Sequence, residues 1–203
     1  MAKTIVISLI IFACASIATA QDDYKKWEFF GGYSHNWLDV GNVFEEREGH
    51  YGFEGSVTGN FTRYLGAKFD VSGHYRNRTI PFGTVANGID INTSFYNFLG
   101  GVQIKDNATE ATFKPFAHAL VGAVHGRSRV NFRNDFCIAI FPSPCPSDFT
   151  DSDTGFAGAF GGGLDIRATN RLDIRVIQVD YNPMHFNENT QHNLRIGVGI
   201  VIH

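Results

Sequence analysis

Strict alternation of apolar and polar residues is the feature that most limits what this chain can fold into. From Tyr51 to Phe61 every odd position is apolar or glycine, and every even position is polar or glycine. The pattern resumes from Leu65 to Tyr75 after a very short link. A period of two residues is that of a β-strand, so the two segments predict a β-hairpin.

Further segments alternate with varying clarity, and together they predict about eight strands, an even number typical of outer-membrane barrels. These segments cover residues 27–36, 94–104, 113–125, 154–167, 172–181 and 193–203. In 172–181 the phase changes at Ile177. This change predicts a β-bulge near Val176 or, in a membrane protein, the point where the strand leaves the bilayer.

The links between the predicted strands alternate in length. Short turns are expected at Thr62–Tyr64, Lys105–Ala111 and Ala168–Arg171, and long polar loops at 38–50, 76–90, 126–153 and 182–192. Short turns on one side and long loops on the other are typical of outer-membrane barrels. No second domain is left over, so residues 21–203 are predicted to form one barrel domain.

Alternation alone does not decide whether the apolar face points inward, as in a soluble eight-stranded barrel, or outward into lipid. Three features favour an apolar face that points outward into lipid. Tyr51 and Phe61 are ten residues apart, and at about 3.3 Å per residue and a tilt near 40° this span projects to roughly 25 Å, the height of an apolar band. The polar faces carry both signs of charge, and glycines are frequent on both faces, whereas a soluble core would need bulky side chains. The prediction is an all-β, eight-stranded antiparallel up-and-down transmembrane β-barrel.

The interior of such a barrel is just wide enough to be filled by side chains, and buried charges must be paired there. We therefore predict an ion-pair network in the lumen, which either fills it or gates a narrow pore. His118 is expected to be a hydrogen-bonded lumen histidine. The candidate network residues are Glu54, Lys68, Asp70, Asp165, Arg167, Asp173, Arg175 and Arg195.

The first twenty residues have the pattern of a secretory signal peptide. Lys3 precedes a short apolar run, Ile5 to Ala13, and Ala18-Thr19-Ala20 predicts cleavage before Gln21. The alternative, a lipoprotein signal with Cys14 as the lipidated residue, places Phe12 where a small residue is preferred. Export leads to an oxidising compartment, so Cys137 and Cys145 are predicted to form a disulfide across a short Pro-rich loop. A metal site there lacks further ligands at suitable spacing.

Several segments resemble the OmpA-like outer-membrane β-barrel family along essentially the whole mature chain. They are Trp27–Ser34, Ser56–Phe61, Pro115–Leu120, Gly161–Asp165, Arg175–Tyr181 and Asn193–Ile200. The resemblance implies a small barrel in the outer membrane of a Gram-negative-type bacterium. The chain departs from the family in ending on His203, where an aromatic residue is usual. Nothing resembling the peptidoglycan-binding domain of larger relatives follows the barrel, which argues against a cell-wall tether.

No catalytic, metal-binding or cofactor-binding pattern stands out, so we predict that the protein is not an enzyme and holds no cofactor. The net charge of −3 argues against nucleic acid as a partner. The leading function is a structural or surface-interaction role, for a monomer that contacts outer-membrane lipid and reaches an extracellular ligand through its long loops. The alternatives are a narrow-pore channel for ions or small solutes and a lipid-modifying enzyme, for which His125 and Ser128 are the nearest His/Ser pair.

Overall fold

A computed structural model describes residues 24–38, 48–81, 88–132, 148–186 and 189–203. The predicted signal peptide, residues 1–20, lies outside these ranges. So do Cys137 and Cys145, and their disulfide therefore stays a prediction.

The described residues form eight β-strands. They are β1 (Trp27–Leu38), β2 (Glu48–Asn60), β3 (Leu65–Pro81), β4 (Gly88–Lys105), β5 (Phe113–Phe132), β6 (Phe149–Thr169), β7 (Leu172–Phe186) and β8 (Asn189–Ile202). Each strand pairs antiparallel with the next, and β1 pairs with β8, so the sheet closes into a barrel. The predicted fold class is confirmed. Within the described ranges, no helix has the length and apolarity needed to cross a bilayer.

The apolar face of the barrel points outward. Phe69 and Ile202 expose 53% of their surface, whereas Asp70 and Arg195, on the inward face, expose none. An outer surface of this kind is stable only against lipid, because it would otherwise leave a large apolar area in water. The barrel therefore has its polar residues inside, as the charge distribution of the sequence predicts.

The strands run further than the alternation predicts. β4 begins at Gly88, β5 continues to Phe132 and β6 begins at Phe149, so much of the loops expected at 76–90 and 126–153 is paired strand. Likewise, β7 extends to Phe186 into the loop expected at 182–192. The predicted extent of these three loops is wrong. Beyond the apolar band the outward residues are polar, as at Asn92 and Arg129, and apolar residues such as Ile91 and Val130 lie on the opposite face. The rule that the outward face is apolar therefore ends there, while the backbone pairing continues.

A β-bulge lies at Val176, as the phase change in the sequence predicts. Arg175 is opposite Gly199 and Gln178 is opposite Gly197, so β7 has one more residue here than β8. Val176 and Ile177 both point outward, with 40% and 44% of their surfaces exposed. The bulge reverses the inward phase of β7, and this reversal turns Gln178 and Asp180 into the lumen.

Candidate functional site: the charged lumen

We call the end with the links 61–64, 106–112 and 170–171 the short-turn end, which in outer-membrane barrels is periplasmic. Near it, four charged side chains form what we call the lower cluster: Glu28, Lys105, Asp165 and Arg175. The ammonium of Lys105 lies 2.6 Å from Glu28 Oε2 and 2.8 Å from Asp165 Oδ2. Arg175 donates to both oxygens of Asp165, over 2.8 and 3.1 Å. The four charges therefore neutralise one another in a site closed to solvent.

Arg175 contacts two aromatic rings as well as the carboxylate of Asp165. Its guanidinium carbon lies 4.1 Å from the ring centroid of Phe30 and 4.1 Å from that of Phe116. Its Nη1 donates to Gln178 Oε1 over 2.7 Å. A planar guanidinium suits this arrangement because it stacks on rings while its edge donates to a carboxylate.

The central cluster lies further from the short turns and is built around Arg195. The guanidinium donates to Asp180 Oδ2 through Nε and Nη2, over 2.9 and 2.7 Å. Nη1 donates to Asp70 Oδ1 over 3.0 Å, and Nη2 lies 3.7 Å from Glu54 Oε1. One arginine from β8 thus connects carboxylates of β2, β3 and β7 across the lumen.

Gln178 joins the two clusters. Its amide nitrogen donates to Glu54 Oε1 and to Asp180 Oδ2, each over 2.7 Å, while its oxygen accepts from Arg175. The network also includes His118, whose Nε2 lies 3.0 Å from Asp180 Oδ1. Lys68 Nζ lies 3.4 Å from the other nitrogen of the same ring. The clusters therefore form one continuous polar network.

A third group lies beside the short turns. Lys114 Nζ is 2.9 Å from Asp173 Oδ2, and His203 Nε2 approaches the same oxygen to 2.8 Å. Arg167 takes a different position at the rim. It donates to the carbonyl oxygen of Thr109 over 2.6 Å and lies 3.7 Å from the exposed carboxylate of Glu110.

The structure thus buries seven of the eight candidate network residues in the lumen and leaves Arg167 at its rim. The candidate set lacked Glu28, Lys105, Lys114, Gln178 and Asp180. Lys114 and Glu28 lie on polar faces that the alternation already identifies. The new phase of β7 past the bulge identifies Asp180 and Gln178 as inward residues, and Lys105 lies in a segment that the sequence predicts to be a turn.

The lumen becomes apolar on one side toward the long-loop end. Along β5 the inward residues change from Lys114 and His118 to Leu120 and Val124. These join fully or almost fully buried side chains of β4, β6 and β7, namely Leu99, Ala157, Ala159 and Met184. A cavity of about 150 Å³ lies at the mouth, lined in part by Leu38, His50, Phe95, Met184 and Phe186.

Two of the site types considered from the sequence can be compared with the described residues. Among them, no three His, Cys, Asp or Glu side chains are arranged to hold a metal ion. His125 is opposite Tyr96 on the outward face of β5, and Ser128 is opposite Thr93 on the inward face. The two side chains therefore point to opposite sides of the wall.

Comparison with known proteins agrees with this architecture. Residues 5–201 match the family described as outer membrane protein beta-barrel domain. Among solved structures, Ail, the attachment invasion locus protein of Yersinia pestis, has a TM-score of 0.57 at 16% identity, covering 87% of this chain and 97% of that chain. Ail in complex with the heparin analogue sucrose octasulfate gives the same TM-score and coverage at 17% identity. Neisserial surface protein A has a TM-score of 0.49 at 10% identity, covering 89% of this chain and 99% of that chain. No curated protein sequence matches significantly.

At such low identity the likeness to Ail shows the fold alone. The family match spans nearly the whole chain, and it confirms the resemblance to OmpA-like barrels and the outer membrane of a Gram-negative-type bacterium as the location. With the closed eight-stranded sheet and its polar lumen, these findings identify the chain as a member of the outer membrane protein beta-barrel domain family.

Proposed function

We propose that this protein is a non-conducting outer-membrane barrel with a structural or surface-interaction role. The observation that carries the proposal is the central cluster. Arg195, Asp70 and Asp180 have no solvent-accessible surface, and together they connect β8, β3 and β7 across the lumen. A lumen filled in this way leaves function to the outer wall and to the extracellular end.

The energetics of the cluster support a lumen that stays closed. Opening a water-filled path requires breaking the ion pairs of Arg195 with Asp180 and Asp70, whose atoms lie 2.7 and 3.0 Å apart. Toward the long-loop end, the buried side chains of Leu99, Leu120 and Val124 line one side of the lumen and offer an ion no ligand there.

The test is reconstitution of the purified barrel in planar bilayers. We expect no steady conductance from the wild-type protein over repeated preparations. Arg195→Ala removes the centre of the network and is expected to produce measurable conductance. Arg63→Ala, which breaks an exposed pair with Asp106 at the short-turn end, is the control and should conduct no more than wild type. Steady, salt-dependent conductance of the wild type would instead favour the narrow-pore channel.

We also propose that the protein is not an enzyme. The opposite orientation of His125 and Ser128 supports this, because a nucleophile and its base must lie within hydrogen-bond distance. His125 Nδ1 is instead 2.9 Å from the hydroxyl of Thr154. Release of fatty acid from outer-membrane phospholipid by the purified barrel would contradict the proposal.

Two features of maturation belong to the same proposal. Cleavage before Gln21 would leave a mature chain whose mass is measurable in purified outer membranes. A disulfide between Cys137 and Cys145 would join two residues of the segment predicted as a long loop at 126–153, and the mass of alkylated protein before and after reduction would detect it. The loops are the surface that we expect to meet an extracellular ligand, and the barrel is expected to be a monomer.

A further inference from the structure

The outer wall of β3, β4 and β5 carries an unusual set of residues just beyond its apolar band. Tyr75 and Tyr96 point outward there, and Tyr75 donates a hydrogen bond to the Tyr96 hydroxyl over 2.9 Å. Tyrosines on the outside of a membrane barrel lie at the level of the lipid headgroups. This pair therefore marks the boundary between the acyl chains and the headgroups on the long-loop side.

Two arginines follow directly above this boundary. Arg127 is opposite Ser94, which is opposite Tyr75, and Arg129 is opposite Asn92, which is opposite Asn77. Residues two apart on a strand share a face and are about 6.6 Å apart. Arg127 is therefore level with Tyr75, and Arg129 stands one step further along the same outward face.

These side chains line a groove of about 310 Å³ on the outer wall, shared by Tyr75, Asn77, Asn92, Ser94, Arg127 and Arg129. At about 30 Å³ per water molecule, it holds roughly ten waters. Its donors are two guanidinium groups, two amides and the Ser94 hydroxyl, because the Tyr75 hydroxyl already donates to Tyr96. Arginine is the residue best suited to phosphate, because its planar edge donates two parallel hydrogen bonds.

The arginines are available to a ligand. Both are exposed, and within the described ranges neither guanidinium has a carboxylate at ion-pair distance. The outward carboxylate of Asp90 stands one step beyond Asn92 and accepts a hydrogen bond from Thr79 over 2.6 Å. The charge of the groove therefore remains positive and suits an anion.

The position of the groove on the outer wall indicates which class of anion it can bind. It opens on the same face of the wall as Phe98 and Val121, which lie in the apolar band below it. A ligand seated in it is surrounded by the outer leaflet and does not enter the lumen. We propose that Arg127 and Arg129, with Asn77 and Asn92, form a site for the phosphate-bearing headgroup of an outer-leaflet lipid. The site depends on the placement of the barrel in the outer membrane and is independent of whether the lumen conducts.

The test measures lipid binding to the folded barrel in detergent by native mass spectrometry, with lipid A as the phosphorylated probe and phosphatidylcholine as the zwitterionic comparison. We expect the wild type to retain lipid A in preference to phosphatidylcholine. One basic residue near an anionic membrane surface contributes about a fivefold change in affinity, so the double variant Arg127→Gln/Arg129→Gln should bind lipid A about 30-fold more weakly. Arg171→Gln, which removes an exposed charge at the short-turn end, is the matched control and should bind as wild type does.

Both substituted side chains are exposed, and unboiled gel mobility checks that each variant is folded. Unchanged binding of lipid A by the double variant would overturn the proposal. So would an equal loss in Arg171→Gln, because the effect would then be one of net charge. Inorganic phosphate is a further probe: binding as tight as that of lipid A would identify a soluble anion as the ligand and overturn the assignment to lipid.

Discussion

Replacing Arg195 with methionine tests the energetics of the lumen most sharply. Methionine keeps much of the side-chain volume but removes every donor. The hydrogen bonds to Asp180 at 2.7 and 2.9 Å and to Asp70 at 3.0 Å disappear, as does the 3.7 Å contact with Glu54. Among the described residues of the central cluster, Lys68 is then the remaining cation facing three buried carboxylates.

Removing one partner of a buried ion pair costs about 3–5 kcal/mol. Because Arg195 serves three carboxylates, we expect a loss near the upper end, about 5 kcal/mol in the free energy of unfolding. Combining Arg195→Met with Asp180→Asn removes one of the unpaired charges, so the double variant should be more stable than the sum of the two single losses predicts. A coupling of about 1–3 kcal/mol is expected between residues in direct contact.

The assay is equilibrium unfolding in urea of the barrel in lipid vesicles, followed by the fluorescence of Trp27 and Trp37. Arg63→Met is the control, because Arg63 forms an exposed pair with Asp106, and such pairs contribute at most about 1 kcal/mol. A loss of less than about 1 kcal/mol for Arg195→Met, equal to that of the control, would refute the argument that the central cluster holds the lumen together.

Three further perturbations test other parts of the structure. A Cβ at Gly101 would overlap the carbonyl oxygen of Ala119, whereas a Cβ at Gly100 would meet no other atom. We therefore expect Gly101→Ala to lower the free energy of unfolding by about 1–3 kcal/mol and Gly100→Ala to leave it unchanged. Equal effects at the two sites would contradict the close backbone approach. Arg175→Lys keeps the charge but loses the bidentate hydrogen bond to Asp165 and the stacking on Phe30 and Phe116. We expect the free energy of unfolding to fall by about 1–3 kcal/mol in the same assay. Hydrogen bonds from Arg63 hold the pKa of Asp106 below its ordinary value of 3.8, so the pair stabilises the folded barrel above that pH and the contribution is lost as pH falls through the lowered pKa. Asp106→Asn should remove this part of the acid dependence, and an unchanged pH profile would count against it.

The fold could be predicted from the sequence because a barrel wall in lipid imposes one rule on every strand: alternate residues face lipid. Val57 and Phe69 on the outside, with Thr58 and Asp70 inside, follow that rule without any knowledge of their partners. Strand ends could not be predicted, because Asn77 and Arg129 lie beyond the band where the rule applies. Backbone pairing continues there, but the outward positions are polar and apolar residues such as Ile91 and Val130 lie on the other face.

The sequence predicts that the lumen holds a network of ion pairs, but it does not predict which residues pair with each other. That Asp165 and Arg175 meet depends on the register of β6 against β7, and this register contains the bulge at Val176. That Lys105 reaches both Glu28 and Asp165 depends on the stagger of strands around the closed barrel. Neither the register nor the stagger can be derived from the hydrophobic pattern of a single strand.

The central claim is that the outer face of the wall meets lipid while the inner face lines a closed, water-excluding lumen. Single cysteines at neighbouring positions of β3 test it most directly, in a background with Cys137 and Cys145 replaced: Val71→Cys on the lipid face, Ser72→Cys on the fully buried lumen face, and Asn77→Cys above the apolar band. We predict that a charged, membrane-impermeant maleimide labels the folded protein in vesicles only at position 77, and labels all three after denaturation. Rapid labelling of the folded protein at position 72 would mean a water-filled lumen, and labelling at position 71 would mean that the apolar face is not in lipid.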